Sequence, residues 1–164
     1  IQIPSGTLYP LVSGTVQATT SGTSIDFTGL PSWIKRLTFV FSGISTNGTS
    51  SLVLRLSTGG TFATSGYLSY VDEMGTAVAP NSQTAGFGMG DATTTAALLS
   101  YGTYVFHNIS GNTWVGSLSG GSSLPSILIG GGSITLSGVL DGIRLTTVGG
   151  ANTFDAGTVN IFYE

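Results

Sequence analysis

Two stretches in the first third of the chain alternate regularly between apolar and polar positions. From Arg36 to Ser42 the odd-numbered positions carry Leu, Phe and Phe, and from Ser51 to Ser57 the even-numbered positions carry three leucines. Successive side chains of a β-strand point to opposite faces, so this period of two predicts two strands, each with one buried and one wetter face.

The segment Thr46-Asn47-Gly48-Thr49 lies between these two strands. Asn-Gly favours a tight hairpin because both residues tolerate a positive φ. The sequence therefore predicts that the two strands pair with each other as a hairpin and form half of a sheet with one buried side.

Shorter alternating stretches follow along the rest of the chain. They comprise Ile25 with Phe27, residues 67–72, 103–109, 113–118, 134–137, 143–146 and 158–164, and Phe87 with Met89. Ser110-Gly111-Asn112 predicts a second hairpin turn, whereas residues 74–83 and 120–125 predict loops and Gly130-Gly131-Gly132 a loop or bulge. About ten strands at spacings of roughly 8–15 residues, without helical periodicity, predict an all-β fold: an antiparallel, jelly-roll-like β-sandwich.

The domain organisation is simple. A chain of 164 residues can bury one core, and it contains no internal repeat or linker. Residues 24–164 are predicted to form a single β-sandwich domain. Residues 1–23 are predicted to form a lead-in segment that contacts a neighbouring subunit or an upstream domain.

Charge is unusually sparse. Only 7% of the residues are charged, whereas a typical soluble domain carries about a quarter. Weak self-repulsion favours a homo-oligomer. Four basic residues and a net charge of −3 argue against nucleic-acid binding, and no apolar run reaches the roughly 18 residues that insertion into a membrane needs. The absence of cysteine excludes disulfides and a thiol nucleophile.

Residues suited to catalysis do not form a recognisable set. Asp72 and Glu73 are adjacent, so on a strand they point to opposite faces, whereas a glycosidase needs two carboxyl groups facing each other across about 5–9 Å. His107 is the only histidine, and its place in a strand predicts a core or interface position. We therefore expect no catalytic residue, no metal, no cofactor and no enzymatic activity.

Six strings carry a resemblance to a known family. They run from Ser24 to Thr38, from Gly43 to Leu52, over Gly66-Tyr67, over Gly111–Trp114, from Gly132 to Thr147 and from Asp155 to Glu164. Together they resemble a domain found at the C-terminal ends of phage and prophage tail-fibre and related virion proteins. The resemblance covers roughly residues 20–164.

This resemblance implies a function and a location. It implies a β-sandwich at a fibre tip, commonly a homotrimer, on the exterior of a phage tail or capsid. The expected partners are a host surface polysaccharide or outer-membrane receptor and an upstream fibre or virion protein. The family carries no defined catalytic set, so no functional residue is transferred from it.

The ligand-binding residues are predicted from exposed loops at one end of the sandwich, because loops on a rigid sheet carry recognition. An aromatic ring on a hairpin suits stacking against a sugar, although Trp114 could instead be a core residue. The predicted set is Trp114, Asn112, Tyr70, Asp72 and Asn47. Several copies on one axis would add avidity to weak single sites.

The Lys35-Arg36 pair has two readings. It could bind an anionic sugar or phosphate, or it could flank a strand and keep one face wet.

Two other functions stay open at this stage. The chain could be a structural virion protein, such as a capsid decoration or fibre-assembly domain, with large apolar contacts between subunits. It could also be a glycan-cleaving enzyme, which would require two carboxylates converging in a cleft.

Overall fold

The computed structural model of the protein describes residues 10–74, 81–90, 96–124 and 126–164, and this part of the chain contains fourteen β-strands and no helix. In chain order they are β1 (Val12–Ser13), β2 (Gln17–Ala18), β3 (Ser24–Thr28), β4 (Arg36–Thr46), β5 (Leu52–Thr58), β6 (Thr61–Phe62), β7 (Leu68–Met74), β8 (Asn81–Gln83), β9 (Phe87–Gly88), β10 (Ser100–Ser110), β11 (Thr113–Ser122), β12 (Ser126–Thr135), β13 (Gly142–Thr147) and β14 (Phe154–Tyr163).

The strands form two antiparallel sheets that pack as a sandwich. The larger sheet has nine strands in the order β1-β14-β4-β10-β11-β12-β7-β8, with β2 also paired to β14. The smaller sheet has five strands in the order β3-β13-β5-β6, with β9 also paired to β5. The predicted antiparallel β-sandwich is confirmed, with more strands than the sequence indicated.

The core lies between the two sheets and is built by the alternating positions of their central strands. On the larger sheet, Leu37 and Phe39 of β4 and Tyr104 and Phe106 of β10 are fully buried. The smaller sheet contributes five equally buried side chains: Leu54, Leu56, Phe87, Ile143 and Leu145. Period two therefore identified most of the inward positions correctly.

Aromatic rings connect the two sheets at the centre. The ring centroid of Phe87 lies 5.0 Å from that of Phe106 and 5.6 Å from that of Tyr104, both in edge-on arrangements. Tyr67 approaches the same ring at 5.2 Å, and Tyr104 and Phe106 stack at 4.7 Å. Such pairs add about 0.5–1.5 kcal/mol each beyond the area they bury.

The predicted hairpin at Asn47-Gly48 is wrong. β4 pairs with β14 and β10 in the larger sheet, whereas β5 pairs with β13, β6 and β9 in the smaller one. The connection crosses from one sheet to the other, and Gly48 does not adopt a positive φ. Asn47 is held by Thr153 instead: its backbone N–H donates to the Thr153 carbonyl at 3.0 Å, and its side-chain oxygen accepts from the Thr153 N–H at 2.9 Å.

The wetter face predicted for the second strand is also wrong at Val53, which has no exposed surface. The segment before β9 passes directly over this side chain. A Cβ placed on Gly86 would lie 2.8 Å from the Cβ of Val53. β5 is therefore covered on both faces at this point.

Three segments predicted as loops contain strands. Gly130-Gly131-Gly132 continues β12 in unbroken register, with Gly131 paired to Ser117 of β11 and to Tyr70 of β7. Because β12 has a partner on each side, its backbone stays extended without the help of β-forming side chains. Asn81–Gln83 forms β8, and β11 continues to Ser122; residues 75–80 and 125 lie outside the described residues.

Residues 10–23 of the predicted lead-in segment lie along the edge of the larger sheet. β1 pairs Val12 with Tyr163, and β2 pairs Ala18 with Thr158. Residues 1–9 lie outside the described residues. The contacts predicted for this segment with a neighbouring subunit or upstream domain stay a prediction.

We expect Phe87→Ala to lower the free energy of unfolding by about 3–5 kcal/mol, because it leaves a cavity between three other aromatic rings. Urea unfolding would measure the change. Phe62→Ala is the control, since Phe62 is only half-buried and packs under the Arg144 guanidinium at 4.2 Å; we expect a loss of about 1 kcal/mol there. Equal losses in the two variants would contradict the central role of Phe87.

Burial of two tyrosines also makes the free energy of unfolding depend on pH in the alkaline range. It raises the pKa of Tyr67 to about 12, against the opposing effects of the hydrogen bond from Leu56 and the charge of Arg55. The Tyr67 hydroxyl accepts from the Leu56 N–H at 2.9 Å and donates to the Ala63 carbonyl at 3.2 Å. Burial raises the pKa of Tyr104 in the same direction. An unfolded tyrosine titrates near pH 10, so between about pH 10 and 12 the unfolded state binds fewer protons and stability falls as pH rises.

We expect the free energy of unfolding to decrease between about pH 10 and 12, and Tyr67→Phe to make this decrease shallower. At neutral pH the same variant should be less stable than wild type by about 1–2 kcal/mol, because the buried Leu56 N–H loses its acceptor. Urea unfolding at about pH 7, 10 and 11.5 tests both statements. An identical alkaline decrease in variant and wild type would show that Tyr67 does not titrate as described.

Candidate functional site

A depression of about 240 Å³ lies at the end of the sandwich that carries the β10–β11 turn. Three connections meet there: residues 29–35 between β3 and β4, residues 111–112 between β10 and β11, and residues 136–141 between β12 and β13. Its walls contain Ile34, Lys35, Asn108, Asn112, Trp114 and Leu140. We call it the end depression.

Backbone hydrogen bonds fix the three connections to one another. The Leu30 N–H donates to the Asp141 carbonyl at 2.9 Å, which joins the first connection to the third. The Leu136 N–H donates to the Asn112 carbonyl at 3.0 Å, which joins the third to the turn. The shape of the end depression is therefore set by the strand ends and by these backbone hydrogen bonds.

The β10–β11 turn has the conformation that its sequence predicts. Ser110 pairs with Thr113, and Gly111 has a φ of +50°, which suits glycine as the first residue of a two-residue hairpin loop. The side-chain amide of Asn108 donates to the Gly111 carbonyl at 2.9 Å and to the Thr113 carbonyl at 3.2 Å. These bonds hold Asn112 in place above the depression.

The end depression combines an apolar floor with a polar rim. Ile34, Trp114 and Leu140 are almost completely buried and form the floor. On the rim, the Lys35 ammonium donates to the side-chain oxygen of Asn108 at 3.1 Å. An ammonium group has three donors, so Lys35 keeps donors for a ligand. An apolar floor with a few placed polar groups is typical of small-ligand sites.

Lys35 differs from the other basic residues, because its ammonium donates to a neutral side-chain amide on the rim. Arg36 pairs with Glu164 at 2.6 Å, and Arg144 forms two bonds of 2.7 Å with Asp26. The hydrogen bond to Asp26 raises the pKa of Arg144. Arg55, whose pKa burial lowers, donates to two backbone carbonyls. The other basic side chains bind carboxylates or backbone carbonyls, whereas Lys35 keeps its positive charge and further donors at the rim for an anionic group.

Of the predicted ligand-binding residues, the structure brings Asn112 and Trp114 together at the end depression. Trp114 is only 3% exposed. Its ring is therefore not available for stacking against a sugar, and the alternative of a core position applies. It shares the inward face of β11 with Leu118, and its burial makes it part of the floor. Asn112 lies on the rim, and its binding of a ligand stays a prediction.

The other three predicted residues lie elsewhere. Tyr70 and Asp72 point outward from β7, on the face of the larger sheet away from the core. Asn47 follows β4, at the opposite end from Asn112, and β4 spans ten steps of about 3.3 Å. The prediction that these residues share loops at one end is therefore wrong.

The described carboxylates do not form a facing pair. Asp72 and Glu73 point to opposite faces, as predicted. Five of the described carboxylates bind these neighbours: Asp26 binds Arg144, Glu73 binds Ser122 and Ser126, Asp141 binds Ser57 and the Gly60 N–H, Asp155 binds Ser45, and Glu164 binds Arg36. Within the described ranges no three acidic, histidine or cysteine residues lie close enough to hold a metal ion.

Sequence reasoning missed Asn108 and Leu140 and left Lys35 undecided. Lys35 and Asn108 are 73 positions apart and meet because β4 pairs with β10. The sequence around either residue does not indicate how β4 and β10 are aligned. A local signal existed for Asn108, because an asparagine three residues before Gly111 can hydrogen-bond to the turn backbone.

Comparison of the sequence with models of protein families and with curated proteins finds no match. The resemblance to phage tail-fibre domains therefore stays a prediction. The part of the chain that the structure describes has no helix long and apolar enough to cross a membrane.

The chain has two tryptophans, so their environments can be separated by substitution. In Trp33→Phe only Trp114 emits, and we expect blue-shifted fluorescence that iodide quenches weakly, because Trp114 is buried. In Trp114→Phe only the half-buried Trp33 emits, and quenching should be stronger. Efficient quenching of Trp114 would show that it is exposed and would restore the stacking role.

Proposed function

We propose that this chain is a receptor-binding domain at the tip of a phage tail fibre, which binds a host cell-surface glycan or protein without covalent chemistry. The single observation that carries the proposal is the end depression, where Lys35, Asn108 and Asn112 surround an apolar floor. We place the domain on the virion exterior in a homo-oligomer, for which the resemblance implies three copies joined to an upstream fibre or virion protein.

The chemistry of the end depression suits part of an anionic glycan. A sugar residue has an apolar face and a ring of hydroxyl groups, which matches the buried floor and the amides of Asn108 and Asn112. The Lys35 ammonium adds attraction for a carboxylate or phosphate on the glycan. At about 240 Å³, the site is smaller than the roughly 300–1,000 Å³ of a drug-sized ligand pocket. It therefore fits one sugar residue or one branch.

A site of this size gives weak binding by itself. In an oligomer the site is repeated, so the second and third sites bind a ligand that the first site already holds nearby. These intramolecular binding steps raise the overall affinity by about 10²–10⁴-fold. The backbone hydrogen bonds between the three connections support this mechanism, because the loops lose little conformational freedom when the ligand binds. Cleavage of the glycan is not part of the proposal. A glycosidase needs two carboxyl groups that face each other across a cleft, whereas five of the described carboxylates each bind neighbouring side chains or backbone.

A structural virion role is the second candidate, and one observation favours it. The face of the larger sheet that points away from the core carries many exposed apolar side chains. A capsid decoration or fibre-assembly domain would use such a face. The two roles are separable, because the end depression and this face are different surfaces.

Binding of the fluorescently labelled domain to candidate host cells, scored in competition with phage adsorption, tests the proposal. Wild type should bind saturably and block adsorption. Lys35→Ala and Asn112→Ala should each weaken binding by about 10-fold, because each removes a polar contact at the rim. Asn47→Ala is the matched control at the opposite end and should bind as wild type does.

Two results would contradict the receptor-binding proposal. A folded, oligomeric wild-type domain that does not bind would favour the structural role. Binding that Asn47→Ala weakens and the rim variants leave intact would move the site to the other end of the sandwich.

A further inference from the structure

Exposed apolar side chains are concentrated on one surface of the molecule. Fourteen large apolar side chains are exposed in the described part of the chain, and seven of them point outward from four adjacent strands of the larger sheet. These seven are Leu68, Tyr70, Met74, Tyr101, Val115, Ile127 and Ile129. We call the outward-pointing surface of β14, β4, β10, β11, β12 and β7 the outer face.

The register of the strands brings small side chains together in the middle of the outer face. In one row across the sheet, Tyr70 lies beside Gly131, which lies beside Ser117, which lies beside Val105. Glycine and serine in the middle of this row leave a low strip between larger neighbours. A flat sheet face fits best against another extended surface, as in sheet-on-sheet packing.

The apolar character continues across the sheet to β4 and β14. There, Val40 and Phe162 line a shallow groove of about 310 Å³, with the buried Phe41 and the exposed Val16 also in its lining. Val16 is itself 62% exposed. Apolar side chains thus occur on the outer face from β7 to β14 and not only at one edge.

Few charges interrupt the outer face. Arg36 and His107 are neighbours at one corner, where His107 is exposed and not in the core. Asp72 lies on β7, at the other side of the sheet. A nucleic acid or an anionic membrane surface would require clustered basic residues, which the described part of this face does not have.

The size of the outer face matches what a stable interface needs. Six strands about 4.8 Å apart, with up to four outward positions about 6.8 Å apart along each, give about 800 Å², which equals the roughly 800 Å² that each partner contributes to a standard interface. This area counts polar and apolar positions together, and a concentration of exposed apolar side chains on such a face marks an interaction site. A surface of this size and composition is therefore expected to be covered.

We propose that the outer face is the contact surface between copies of this chain. A second copy brings a flat face that is equally apolar and equally poor in charge, so pairing buries few charged groups. Of the seven other exposed apolar side chains, Val16 lies beside the groove of the outer face, and six are spread over loops, turns and strand ends of the described chain. The outer face of another copy is therefore the best-matched partner. The inference does not depend on the receptor-binding argument.

Sedimentation over a range of concentrations tests the proposal with the full chain. Wild type should assemble into dimers or trimers. Ser117→Lys should weaken assembly by about 100-fold, because it places an unpaired charge in the middle of the contact. Ser137→Lys makes the same change at an exposed position in the β12–β13 connection and should assemble as wild type does. Ile129→Lys and Val139→Lys repeat the comparison at apolar positions of equal exposure, 52% and 53%.

A labelling experiment keeps the test independent of lysine variants. The chain has no cysteine, so Ser117→Cys and Ser137→Cys each offer one thiol to a maleimide. Ser117→Cys should react slowly when assembled and faster on dilution, whereas Ser137→Cys should react fast throughout. A wild-type chain that is monomeric at every concentration, or assemblies that the outer-face variants leave intact, would overturn the proposal.

These results are separate from the outcome for receptor binding. Monomeric wild type that still binds cells through Lys35 would overturn the outer-face proposal and the oligomeric part of the proposed function, and it would leave receptor binding intact. Assembly through the outer face without cell binding would overturn the receptor-binding proposal alone.

Discussion

Apolar contact between the two sheets is the interaction on which the rest of the structure depends. The chain has no cysteine to cross-link the sheets, and only 7% of its residues are charged. The ring of Phe87 on the smaller sheet meets Tyr104 and Phe106 on the larger one, and around this centre each strand turns its apolar positions inward. Ion pairs such as Arg36–Glu164 lie in half-exposed positions, where they contribute little. Burial, and not charge, therefore fixes which way each strand faces.

This dependence explains which parts of the fold the sequence predicts. Period two reports which side chains of a strand face the core, so the inward positions of β4, β5 and β13 were predicted correctly. It does not report which strands are neighbours. Asn47-Gly48 has the composition of a hairpin turn, yet β4 and β5 bury their apolar faces in the same core from opposite sheets. Two strands that belong to opposite sheets cannot also pair edge to edge with each other, so packing overrides the local turn preference.

The candidate site also contains residues that the sequence predicts and residues that it does not. Asn112 was predictable because the turn that carries it is local, and the burial of Trp114 follows from the phase it shares with Leu118. Tyr70 and Asp72 lie opposite Val71 on β7 and not in a loop, and the alternation of a single strand gives no sign of what covers its outward face. Lys35 and Asn108 meet only through the register of β4 with β10. The part of the site that depends on strand pairing was therefore beyond reach of the sequence alone.

β11 connects the two proposed surfaces within a few residues. Trp114 points inward and forms the floor of the end depression, whereas Val115 and Ser117 point outward to the outer face. Because the depression opens at the strand ends, covering the outer face with a second copy leaves it accessible. Assembly then fixes the separation and orientation of the depressions through rigid strands, without a flexible linker between the sites. Multivalent binding gains most when the sites are held at the spacing that the ligand repeats, and a sandwich that pairs through its face and binds at its end satisfies that condition.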